Sequence, residues 1–132
     1  MAASTDKRQT VMVIDDESDL LAVSRKMLQK SGYDVHAFDS PVTALEHVKN
    51  GCEQCIVVIS DIRMPEMSGF ELVRQLKELC PGMKVILMTA FKINKEEAQL
   101  VLPTAKVDGF LTKPFRSTEL IEAVKQCASQ SK

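Results

Sequence analysis

Asp15, Asp16, Asp61 and Lys113 are the residues of this chain whose types and placement point most directly to chemistry. Each stands where a hydrophobic run stops. Val11-Met12-Val13-Ile14 runs into Asp15-Asp16, Ile56-Val57-Val58-Ile59-Ser60 into Asp61, and Gly109-Phe110-Leu111-Thr112 into Lys113-Pro114. If those runs are strands of one open parallel sheet, their carboxyl ends share an edge, and the crevice at that edge is where such sheets bind ligands. Three carboxylates and one ammonium then meet in a small volume, suited to a hard cation and a phosphate group.

The elements that must position these residues are legible as an alternation of short β-branched runs with helical patterns, the mark of a parallel sheet covered on both faces. The expected strands are Thr10–Asp15, Asp34–Phe38, Ile56–Ser60, Lys84–Met88 and Asp108–Thr112. Three are almost wholly apolar, as strands buried on both faces are. Asp34–Phe38 mixes in polar residues and suits a place nearer the edge. Ser18 is expected to cap the first helix, with Leu20, Leu21, Met27 and Leu28 on one face and Gly32 beyond its end. Pro41 opens the second helix, with Val42, Leu45 and Val48 inward. Ser68 caps the third, with Leu72, Val73, Leu76 and Leu79 toward the core. The fourth starts after Asn94 with Glu97 reaching back, and Pro103 limits it to about two turns. Ser117 or Thr118 starts the fifth, striped by Leu120, Ile121 and Val124.

Composition narrows the class. At 132 residues the chain fits one domain with a self-sufficient core. A formal net charge of −1 gives no basic field for nucleic acid, and no direct nucleic-acid partner is expected. The first nine residues are polar and no apolar run is long enough to span a bilayer, so neither a secretory signal nor a membrane partner is expected. The cytoplasm is the expected compartment, with Cys52, Cys55, Cys80 and Cys127 as reduced thiols. Cys52-Glu53-Gln54-Cys55 lacks the second pair of a zinc site and follows a helix rather than opening one, so its thiols are read as incidental. His36 and His47, on a strand and a helix away from the acidic edge, are read as neither phosphohistidine nor metal ligand.

The acidic pair, the lone Asp61, Thr89-Ala90 after the fourth strand and Lys113-Pro114 after the fifth, in this order, resemble the receiver domain of two-component response regulators. Asp61-Ile62-Arg63-Met64-Pro65 and Gly109-Phe110-Leu111-Thr112-Lys113-Pro114-Phe115 add to the resemblance, which spans roughly Val11 to Ala128. It implies a flavodoxin-like three-layer α/β/α sandwich on a five-stranded parallel sheet of order 2-1-3-4-5, a topology for which receivers are a standing example. Residues 10–128 form the expected domain, with short tails at 1–9 and 129–132.

The resemblance also implies function. Asp61 is the expected phosphoacceptor, taking a phosphoryl group from a sensor histidine kinase. Mg²⁺ is the expected cofactor, held by Asp16, Asp61 and the backbone carbonyl of Arg63, with Asp15 acting through water. Lys113 and Thr89 assist the phosphoryl group, and Thr89 and Phe110 form the switch. The downstream partner docks on the face made by the fourth helix, fifth strand and fifth helix, and the stand-alone receiver is a monomer or a phosphorylation-dependent dimer. No conventional enzyme is implied: self-dephosphorylation is expected to be slow, since neither Arg63 nor Phe91 orients water as a carboxamide or carboxylate would. The Lys113–Pro114 bond is expected to be cis. A small magnesium-dependent phosphohydrolase with an aspartyl nucleophile is the alternative, disfavoured because Asp15-Asp16-Glu17 replaces the usual Asp-x-Asp. A flavin-binding module would want a hydroxyl- and glycine-rich loop where these acids stand.

Overall fold

The computed structural model describes residues 9–51, 55–89 and 107–129. Strand β1 (Thr10–Ile14) is followed by helix α1 (Ser18–Lys30), β2 (Asp34–Phe38), α2 (Pro41–Lys49), β3 (Cys55–Asp61), α3 (Gly69–Leu79), β4 (Lys84–Thr89), β5 (Gly109–Thr112) and α4 (Ser117–Ser129). The strands form one parallel sheet of order β2-β1-β3-β4-β5. Asp34–Phe38 is thus an edge strand, as its polar residues suggest. The short helix expected after Asn94 lies outside the described residues, as do Phe91, Cys52 and the side chain of Cys55.

Alternation along the strands divides the core. Val11 and Val13 of β1, with Val57 and Ile59 of β3, face Leu28 of α1 and Leu120 and Val124 of α4. Met12 and Ile14, with Val58, face the other way onto Ala44, Leu45 and Val48 of α2 and Leu72 and Leu76 of α3. The period-2 geometry of a strand sends neighbours to opposite sheet faces, so helices are needed on both. Each side chain fully buried there, Ile14 and Leu72 among them, contributes about 1.5–3 kcal/mol.

The helix ends depart from expectation in three places. Glu17, rather than Ser18, is the N-cap of α1, and it offers no side-chain cap. Val42 and Leu79, expected inward, are each 42% exposed. In α2 the buried set is Pro41, Ala44, Leu45 and Val48, a clean i, i+3, i+4, i+7 stripe that leaves Val42 on the outer side. Leu79 is the last residue of α3, where the helix is ending and Cys80 takes its C-cap. Ser68 does cap α3, accepting the Glu71 N–H at 3.2 Å, and Ser40 caps α2 ahead of Pro41.

Two strands end later than the sequence suggests, and one earlier. Asp61 and Thr89 are themselves the last residues of β3 and β4, whereas β1 stops at Ile14. The pairing holds the site residues in place: Asp61 is opposite Met88, and Thr89 opposite Thr112.

Candidate functional site

The carboxyl ends of β1, β3 and β5 bring Asp15, Asp61 and Lys113 into direct contact. The Lys113 ammonium donates to Asp15 Oδ2 at 3.1 Å and to Asp61 Oδ2 at 3.1 Å. It also reaches Glu17 Oε1 at 3.4 Å. Carboxylate oxygens of Asp15, Asp16 and Asp61 lie within 4.8 Å of one another. Three carboxylates therefore hold one ammonium, and a fourth, that of Asp16, stands beside Asp15 and Asp61.

Burial differs sharply among them. Asp15 is 1% exposed and Asp61 9%, while Asp16 and Glu17 face solvent. Asp15 is tied down by the Glu17 N–H, which donates to its Oδ1 at 2.9 Å. Its own N–H bonds the Phe38 carbonyl at 3.1 Å, anchoring the strand end to the edge of the sheet. The Lys113–Pro114 bond is cis, as the resemblance implies, and the Lys113 N–H bonds the Thr89 carbonyl at 2.7 Å. The ammonium thus springs from a backbone fixed to the end of β4.

Burial pushes the Asp15 carboxyl above its usual range, against the Glu17 N–H and Lys113, with repulsion from Asp61 the smallest contribution. Desolvation therefore outweighs like-charge repulsion as the cause. Burial opposes the charge on Lys113, but hydrogen bonds and attraction from Asp15 and Asp61 outweigh it and raise its pKa. The site lysine is fully protonated at neutral pH.

The sign for stability follows. A carboxyl whose pKa rises on folding binds its proton more tightly when folded, so its ionised form costs stability above that pKa. The cost is relieved as pH falls through the raised value, which lies above 3.8. Asp15→Asn should therefore raise the melting temperature of the metal-free protein at pH 7, and the gain should shrink as pH falls into the carboxylate range. Thermal unfolding in chelator at pH 7 and pH 4 measures both.

The other expected residues are Arg63, Thr89 and Phe110. Arg63 lines an open cleft of about 470 Å³ together with Asp16, Ile62, Met64, Pro65 and Ser68. Thr89 is 4% exposed and sits one residue beyond Met88, the register partner of Asp61. Phe110 is not at the acidic centre. It pairs with Leu87 and packs against Val73, Val85 and Leu87, on the strand face that also carries Thr89 by the period of two.

Two residues important to the site carry no obvious sequence signal. Glu17 supplies a backbone donor to Asp15 and a carboxylate to Lys113. Gly69 opens α3 against the end of β3: a Cβ there would lie 2.3 Å from the Asp61 carbonyl oxygen and 2.9 Å from Ile62 Cα. Its N–H bonds the Ile62 carbonyl at 2.7 Å.

The donor set is all oxygen and strongly anionic, which fits Mg²⁺ or another hard cation rather than a soft metal. A fixed ammonium bridges Asp15 and Asp61, a positive charge that fits a phosphoryl group. The comparisons agree with this geometry. Residues 11–125 match the family model of the response regulator receiver domain. The chain is 34% identical over 117 residues to "Sensor kinase CckA" of Brucella abortus, covering 89% of this chain and 12% of that protein. It is 31% identical over 121 residues to "Response regulator protein TodT" of Pseudomonas putida, covering 92% of this chain and 52% of TodT. The chain therefore spans about half, or far less, of the length of these relatives. Among solved structures, a CheY-like response regulator receiver domain protein from Methanospirillum hungatei superposes with a TM-score of 0.84 at 26% identity, over 95% of this chain and 97% of that one. A match over most of its length, on a sheet of the same order and with the acidic residues at the strand ends, shows that this chain belongs to the response regulator receiver domain family.

Proposed function

We propose that this receiver works in the cytoplasm, takes a phosphoryl group onto Asp61 from the phosphohistidine of a sensor kinase, with Mg²⁺ as cofactor, and passes the signal on through a changed surface. The observation that carries the proposal is the Lys113 ammonium at 3.1 Å from both Asp15 and Asp61. It fixes one oxygen of Asp61 and leaves the acidic cluster beside it for a cation. Asp16, Asp61 and the Arg63 carbonyl would hold the metal, with Asp15 contributing through water. When bound, Mg²⁺ supplies positive charge that lets one anion approach another.

The chain's own residues do the rest. An Asp61 oxygen attacks phosphorus, the phosphorus–nitrogen bond of the donor breaks, and the imidazole leaves with the electron pair. Lys113 stays protonated and balances charge on the acceptor and on the transferred group without reorganising. Thr89 offers a hydroxyl to a phosphoryl oxygen. The new group brings added negative charge and strong acceptors, which draw Thr89 and release space that Phe110 can enter from the β5 side. Phe110 has no hydroxyl, so packing alone favours its inward position.

The proposed output face includes a groove of about 530 Å³ between β5 and α4, lined by Phe110, Leu111, Thr118, Glu119 and Glu122 among others. Phe110 lines this groove and also packs on the Leu87 cluster, so its movement would reshape the docking surface.

Mixing the protein with Mg²⁺ and a small acyl phosphate tests the proposal. Intact-mass spectrometry should show one added phosphoryl group, stable in acid and labile in base, and none without the metal. Lys113→Met should slow labelling by roughly 10²–10³-fold, the scale for losing one preorganised charge-stabilising donor. Labelling at the wild-type rate in Lys113→Met would remove the lysine from the mechanism.

A further inference from the structure

The fold brings together two residues that the phosphoryl chemistry does not use. His36 on β2 and His47 on α2 are the only histidines in the chain. Their ring centroids are 4.6 Å apart with planes tilted by 49°, and the Phe38 ring lies 5.3 Å from that of His47. The Nε2 atom of His47 is buried and has no hydrogen-bond partner among the described residues. A buried polar atom without a partner costs about 1–3 kcal/mol, and an unoccupied ligand position is one physical reason for it.

We propose that His36 and His47 form a binding site for one divalent transition-metal ion of the zinc, copper or nickel type, clamping the edge strand β2 to α2. Such an ion sits about 2.0–2.1 Å from an imidazole nitrogen, roughly 3.2 Å from the ring centroid, so two rings set about 90–110° apart at the metal have centroids about 4.5–5.2 Å apart. The observed 4.6 Å falls inside that interval. His36 is exposed and gives the ion a way in. Burial and the neighbouring His47 hold the His36 pKa below its usual value, with Asp34 acting the other way, so the ring is in its neutral, ligating form at neutral pH. Asp34 lies two residues before His36 on the same strand face and offsets part of the metal's charge. Water completes the coordination.

This site is separate from the acidic centre. His36 pairs with Met12, three residues short of Asp15, or about 10 Å along the strand. Its chemistry also differs: imidazoles select borderline metals and carboxylates select Mg²⁺. Excess Mg²⁺ therefore occupies the acids without competing for the histidines. The proposal does not depend on the phosphoryl-transfer function.

The test is a Zn²⁺ titration of the full chain in excess Mg²⁺, following the ring ¹⁵N resonances of both histidines. Both rings should respond together with one affinity, and Zn²⁺ should raise the melting temperature. His36→Ala removes an exposed ligand and should fold normally; the His47 response should weaken by more than about 10-fold, and the thermal shift should disappear. Two silent rings at equimolar Zn²⁺ would overturn the proposal. So would an unchanged His47 response in His36→Ala.

Discussion

Gly69→Ala should destabilise the protein and damage the site together. The added Cβ would meet the Asp61 carbonyl oxygen at 2.3 Å, Ile62 Cα at 2.9 Å and the Asp61 carbonyl carbon at 3.1 Å. All three are backbone atoms, so no side-chain rotation relieves the clash. Either the first turn of α3 or the end of β3 must move. Overpacking of this kind costs about 1–3 kcal/mol or more, which for a domain of this size lowers the melting temperature by roughly 5–15 °C. The displaced backbone carries Asp61, so phosphoryl labelling should fall by more than the stability loss explains. Thermal unfolding and labelling rate, measured on the same variant below its melting temperature, separate the two effects. A melting temperature within about 1 °C of wild type would mean that the contact is not as tight as described.

The largest functional effect belongs to Asp61→Asn. Its amide keeps the shape of the carboxylate and can still accept from Lys113, but it is not a competent nucleophile toward phosphorus. Stoichiometric labelling should be lost while the protein stays folded. Mg²⁺ affinity should fall without vanishing, because Asp16 and Asp15 remain. Asp16→Asn is the complementary case: it should weaken Mg²⁺ binding first, and restore labelling in part as Mg²⁺ concentration rises. Metal affinity unchanged in Asp16→Asn would contradict its ligand role.

The acidic centre was legible because its logic is local. An apolar run that stops at a charged residue marks a strand end, and a parallel sheet sends all such ends to one edge. Asp15, Asp61 and Lys113 meet for that reason. The helix ends were less legible because competing groups decide them. Asp15 takes the Glu17 N–H, so the chain enters α1 one residue earlier than a Ser18 cap would have it. Val42 and Leu79 fit an apolar stripe on paper, yet each sits where its helix starts or ends, and neither finds a partner surface that covers it. Gly69 was missed because the need for a glycine arises from a close approach between β3 and α3, which no local pattern reports. The His36–His47 contact depends likewise on β2 being seated beneath α2, and sequence separation alone gave no reason to join them. Phe110 was rightly assigned to the fifth strand, but its packing on Val73 and Leu87 depends on α3, which lies well before it in the chain.

The central claim is that Asp61, beside a bound cation, is the residue that carries the phosphoryl group. Reductive trapping tests it most directly: borohydride converts an aspartyl phosphate to homoserine, and peptide mass spectrometry then reads the position. The protein is treated with acyl phosphate in Mg²⁺ or in chelator, trapped and digested. Homoserine should appear at position 61 in the Mg²⁺ sample and be absent from the chelated one. Homoserine at Asp15 or Asp16 instead, or equal conversion with and without Mg²⁺, would contradict the assignment.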